Sequence, residues 1–129
     1  MRPHGTFAWN ELLTSDPDRA RAFFAETLGW SYQPFDLGAP YWVIMSGEQL
    51  VGGLGALSAG DLETNESYWL GFIEVDDVDR RYESAIALGA TGIRPPHDVP
   101  GVGRVAVLRD PTGALIGWLR GEAVQYSSS

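Results

Sequence analysis

Apolar residues keep two different periods along this chain. From Phe7 to Leu13 they are dense enough for a strand. Beyond Asp16-Pro17 the spacing changes: Ala20, Phe23, Phe24, Thr27 and Leu28 stand three and four apart and predict one buried face of a helix. Asp16 is of N-cap type, Pro17 suits the first helical position, and Asp18 favours the positive end of the helix dipole. Gly29 is the residue expected just past the helix end. Short β-like runs follow at 30–35, 41–46 and 49–57, with Ser46-Gly47-Glu48 as a turn.

The pattern then repeats. At an offset of sixty, Trp9 meets Trp69, Asp16 meets Asp76, Arg21 meets Arg81, Leu28 meets Leu88 and Gly29 meets Gly89. The second copy predicts a strand over 68–75, a cap at Asp76, a helix face of Val78, Tyr82, Ala85 and Ile86, and a stop at Gly89. Runs at 91–94, 103–109 and 114–120 follow, with Asp110-Pro111-Thr112-Gly113 as a tight turn. Each half therefore reads βαβββ. Module one spans about 6–57 and module two about 68–121, within one domain over 1–129. The polar stretch SAGDLETNES, 58–67, is the linker, and the tail QYSSS is expected to fray. A repeat of this kind predicts an α+β fold, with two tandem modules forming a pseudo-symmetric half-barrel around a cleft.

Composition narrows the function classes. The 129 residues are 44% hydrophobic and 20% charged, as in an ordinary globular chain. A net charge of −8 argues against a nucleic-acid partner and against docking on an anionic membrane. Without cysteine there is no disulfide, zinc–thiolate site or thiol nucleophile. No run approaches the roughly 18 apolar residues of a membrane span. The start, MRPHGTF, has no apolar signal-peptide core, so a cytoplasmic protein is expected.

The stretches DPDRARAFFAETLGW, FIEVDDVDRRYESAIALGA and VAVLRDPTGALIGWL, in this order and spacing, resemble the vicinal oxygen chelate superfamily, also called the glyoxalase/bleomycin-resistance/dioxygenase fold. The resemblance covers about residues 6–121. It implies a divalent-metal site with ligands on the first, fourth, fifth and eighth strands. Carried onto this chain, those positions fall on Trp9, somewhere in VGGLGAL (51–57), on Leu70 and on Gly117. None carries the His, carboxylate or thiolate donor such a cation needs. The expectation is therefore a member of this fold with no metal and no cofactor. Family habit also implies a homodimer.

The remaining candidates follow from strand parity and residue chemistry. Glu11 shares parity with Trp9, and Glu74 with Leu70 and Phe72. Burial raises a carboxyl pKa, so Glu11 and Glu74 are candidate acid–base groups. Each also reads plainly as a solvated or Arg-paired strand-end residue. His97, beside Pro95, Pro96 and Pro100, is either a third acid–base candidate or a loop residue. Trp9 replaces a ligand at an inward position and would wall the cleft, with Trp42 and Phe72 as further ligand-binding candidates. Gly52, Gly53 and Gly55 either leave room for a ligand or mark bulges. Arg104, closing the PGVGR loop, would touch the ligand. The resulting reading is a metal-independent protein that binds an aromatic small molecule, of the antibiotic- or metabolite-sequestering type. The alternative is a cofactor-free lyase, isomerase or hydroxylase-like enzyme using the carboxylates or His97. A structural subunit with an occluded cleft is the third reading.

Overall fold

Helix α1 (Pro17–Leu28) begins and ends where local chemistry dictates. The Asp16 carboxylate accepts the Arg19 N–H, Pro17 occupies the first turn, and Gly29 closes the helix at a φ of 73°. The computed structural model describes residues 2–122 and combines two α-helices with eight strands in an α+β fold. The expectation for the tail QYSSS lies outside the described residues.

The first compact unit covers residues 9–70. Its strands β1 (Phe7–Thr14), β2 (Ser31–Pro34), β3 (Tyr41–Ser46) and β4 (Gln49–Ala56) lie in the order β2-β3-β4-β1. β1 runs parallel to β4, with Leu12 beside Leu54, while β2, β3 and β4 form antiparallel hairpins. Leu12, Ile44 and Leu54 form the core, and Ala20, Phe24, Trp30, Tyr32, Trp42 and Val51 pack on it. The expected helix face is only half used. Ala20 and Phe24 pack inward, but Phe23 is 58% and Leu28 56% exposed. Phe23 meets Phe24 edge to face, at a centroid distance of 5.0 Å. The stripe is wider than the three-residue core it covers.

The second unit combines residues 2–8 with 71–122. Strands β5 (Tyr68–Glu74), β6 (Thr91–Val99), β7 (Gly103–Arg109) and β8 (Leu115–Gly121) lie in the order β5-β8-β7-β6. β5 runs parallel to β8, as β1 does to β4. Helix α2 (Val78–Ala87) packs Val78 into a core with Val75 and Ala106, backed by Ile73, Tyr82 and Trp118. The N-terminal arm is tied in through Gly5 N–H to Glu74 O (2.7 Å) and Glu74 N–H to Thr6 O (2.8 Å).

Three expectations need correcting in this unit. The cap of α2 is Asp77, whose carboxylate accepts the Arg80 N–H at 3.1 Å, and not Asp76. Asp76 is engaged elsewhere. Arg81 grips its carboxylate at 2.8 and 3.0 Å, holding its pKa down at about 2, and His4 Nδ1 accepts its backbone N–H. Ile86, expected on the buried face, is 42% exposed. Finally, β6 does not stop at Arg94 but continues through Pro95 and Pro96 to Val99. It pairs only with β7 and shifts register twice, and an edge strand with bulges tolerates proline. His97 therefore stands in a strand and not in a loop.

Candidate functional site

Alternation along β1 separates two faces of the first unit. Leu12 joins the core packed by α1, while Trp9, Glu11 and Leu13 have the opposite parity. Tyr41, at the start of β3, is 8% exposed. Its ring lies across β4 in the space that side chains at Gly53 and Gly55 would fill, and a Cβ at either position would overlap it. The backbone there has no Cβ, so the ring fits against β4 and its hydroxyl reaches β1. That hydroxyl donates to Glu11 Oε1 at 3.2 Å and accepts from Trp9 Nε1 at 3.3 Å. Glu11 itself stands in register with Gly53.

Glu11 is half-buried, and the protein packed around its carboxyl pushes the pKa from 4.5 up to about 7. The Tyr41 hydrogen bond works against this rise, while Asp61 adds to it. Burial also pushes the Tyr41 hydroxyl up, and the neighbouring Glu11 charge reinforces the effect. Tyr68 belongs to the same neighbourhood. Its hydroxyl occupies the space over Gly60, and burial raises its pKa. The first residues after β4, expected as a plain linker, thus pack back with Gly60 on Tyr68 and Leu13. Near neutral pH this face presents a carboxyl that can change protonation state, hydrogen-bonded by a phenol that in turn accepts an indole N–H.

The other sequence candidates are placed differently. Gly53 belongs to the Trp9–Tyr41–Glu11 group, but its free volume is taken by Tyr41 and not left for a ligand. Trp42 has the opposite parity to Tyr41, packs on the Leu12–Ile44–Leu54 core and carries the Arg21 guanidinium 4.1 Å above its ring. In the second unit, Phe72 lies over Gly117 as Tyr41 lies over Gly53. Glu74 is fully buried there: Oε2 accepts the Gly121 N–H at 3.3 Å, Arg120 stands 4.0 Å away, and Oε1 has no hydrogen-bond partner. The His97 Nδ1 is 2.9 Å from the Pro95 carbonyl oxygen. Arg104 is not a free cation at a loop tip. It grips Asp79 of α2 at 2.6 and 2.8 Å and Asp98 at 3.1 Å, and these partners raise its pKa.

The residue that sequence reasoning missed is Tyr41. Gly53 and Gly55, two apart on one strand, could have signalled it, because they remove side chains from the same face and make a berth for a neighbouring ring.

The divalent-metal stations of the fold do not fit a metal in this chain. The Trp9 N–H is committed to Tyr41, Leu70 is a buried aliphatic, and the Phe72 ring takes the space a side chain at 117 would need. Among the described residues, no group of three or more His, Asp or Glu side chains could hold a metal ion.

The twice-built βαβββ fold points to one class of protein. The profile of the glyoxalase-like domain matches residues 9–116, and the chain belongs to that family, within the vicinal oxygen chelate superfamily. Among its relatives, CFP32 of Mycobacterium bovis, provisionally named a glyoxylase, is 37% identical over 118 residues, covering 90% of this chain and 44% of that protein. The anthracycline biosynthesis protein DauV of Streptomyces sp. strain C5 is 34% identical over 119 residues, 85% of this chain and 39% of that one. The chain thus spans about two fifths of the length of these relatives. Among solved structures, methylmalonyl-CoA epimerase from Mycobacterium tuberculosis superposes with a TM-score of 0.65 at 14% identity, over 99% of this chain and 97% of that one. The Mn(II)-bound glyoxalase from Novosphingobium aromaticivorans gives 0.64 at 19% identity, over 93% and 40%. At such identities the likeness to both structures is one of fold.

Proposed function

We propose that this chain binds a small, partly aromatic molecule on the sheet face carrying Trp9, Tyr41 and Glu11, and does so without a divalent metal. One observation carries the reading: a half-buried carboxyl with a pKa of about 7, hydrogen-bonded by a buried phenol beside an indole. The indole gives a planar ligand area and stacking, a contact of about 0.5–1.5 kcal/mol beyond burial. Glu11 supplies the directional contact, accepting from a ligand N–H or O–H when ionised and donating when neutral. The relative named for anthracycline biosynthesis supports a fused-ring aromatic ligand. Sequestration of such a molecule by a cytoplasmic homodimer is the simplest form of this proposal.

Glu11 also favours a second reading. A carboxyl poised near neutral pH can take a proton from a bound substrate and return it, the requirement for a cofactor-free isomerase or lyase. Turnover of a bound ligand, lost in Glu11→Gln, separates this reading from binding alone.

The test is a thermal-shift screen of aromatic metabolites and antibiotics on protein shown by elemental analysis to hold well under one metal ion per chain. A binder should quench tryptophan fluorescence. Trp9→Ala should weaken it roughly tenfold, about 1.4 kcal/mol. Equal affinity in Trp9→Ala, or binding that appears only after a full equivalent of metal is added, contradicts the proposal.

A further inference from the structure

Tyr41 has a role that the binding proposal does not by itself require. Its ring is buried, and its position depends on two glycines of the adjacent strand. Its hydroxyl joins two side chains of β1 in a defined direction. Trp9 Nε1 can only donate, so it occupies a lone pair of the Tyr41 oxygen and leaves the phenolic hydrogen for Glu11 Oε1. We propose that Tyr41 is the positioning residue of Glu11, and that Gly53 and Gly55 are glycines because the Tyr41 ring needs their side-chain space to reach it.

The physical consequence is a balance of opposed effects on one carboxyl. Taking Glu11 out of water favours its neutral form. A phenol whose hydrogen is directed at Oε1 favours the ionised form, because a carboxylate accepts more strongly than a carboxylic acid. The other titratable groups around Glu11 are Asp61, after β4, and Tyr68, on β5. Asp61 works against ionisation and so cannot replace Tyr41. Without Tyr41 the carboxyl would lose both its fixed orientation and the contact that keeps its titration near neutrality.

This inference builds on the face assigned to ligand binding, but its test reads Glu11 directly. Carboxyl carbons of the full chain, labelled with carbon-13, are titrated by NMR, and Glu11 is assigned by its absence in Glu11→Gln. Tyr41→Phe should raise the Glu11 midpoint by about one pH unit. Trp9→Phe, which removes the N–H that orients the phenol, should raise it by less. Gly53→Ala, whose Cβ overlaps the Tyr41 ring, should move it in the same direction. Trp42→Phe, on the opposite parity, should leave it unchanged. An unchanged or lowered midpoint in Tyr41→Phe overturns the proposal, as does an equal shift in Trp42→Phe. If Tyr41→Phe folds poorly, Trp9→Phe decides by the same criterion. A protein that binds no small molecule yet shows these shifts removes the proposed function and leaves Tyr41's role standing.

Discussion

Both units place an aromatic ring over strand glycine, and they differ in what the ring carries. In the first, Tyr41 lies over Gly53 and Gly55 and brings a hydroxyl to Glu11. In the second, Phe72 lies over Gly117 and brings only carbon. Glu74, two positions further along β5, is fully buried with one backbone donor and one oxygen without a partner. Thr14, its counterpart in the repeat, is also buried but better satisfied, since its hydroxyl takes the Ser67 Oγ and the Asp16 N–H. The repeat duplicates the scaffold but not the hydrogen bonding of the carboxyls it carries. A carboxyl buried without a donor for each oxygen mainly costs stability.

The largest effect is expected from removing the Glu11 charge and following stability with pH. In the folded protein the Glu11 pKa lies above its ordinary 4.5, at about 7, so the fold holds a proton that the unfolded chain releases. The stability this contributes is complete below about pH 4.5 and is lost as pH rises through about 7. Glu11→Gln stays neutral throughout. It should match the wild type near pH 4 and exceed it by up to about 3 kcal/mol at pH 8, measured by urea unfolding. A difference that does not vary with pH would contradict the poised carboxyl.

A sharper test uses the glycines. Gly117→Ala must push Phe72 aside, and Gly53→Ala must push Tyr41 aside, each at about 1–3 kcal/mol of overpacking. Only Gly53→Ala should also change the Glu11 titration. Similar titration changes in both would remove the distinction between the units.

The smallest effect is expected at Arg104. Its partners Asp79 and Asp98 are exposed, so Arg104→Ala should change stability only slightly, and less in high salt. It should leave ligand affinity unchanged, because the guanidinium is already engaged with α2 and β6. A large loss of affinity would restore Arg104 to the ligand site.

What the sequence revealed and what it hid follow from the range of the interactions involved. The ends of α1 were legible because Asp16, Pro17 and Gly29 act within one turn of themselves. The α2 cap lies one residue beyond the expected Asp76 because Asp76-Asp77 offers two carboxylates, and only the fold shows that Arg81 and His4 claim the first. β6 runs past the expected end at Arg94 because an edge strand tolerates Pro95 and Pro96, and its place at the edge is set by the fold. The parity of Trp9 and Glu11 was readable, and both join the same group. The expectation fell on Trp42 and not on its neighbour Tyr41, since either could face β1 until the β3–β4 register is known. That register sets Tyr41 beside Gly55 and Trp42 beside Leu54, which decides which ring reaches Glu11.

The proposed role of the first unit depends on the state of a single carboxyl, which one titration reads. In the unmodified chain, the carbon-13 shift of the Glu11 side-chain carboxyl, followed by NMR from pH 3 to 9, should turn over at about 7. A midpoint near the ordinary 4.5 would mean that Glu11 is solvated, that Tyr41 and its glycines serve packing alone, and that the first unit has no more chemistry than the second.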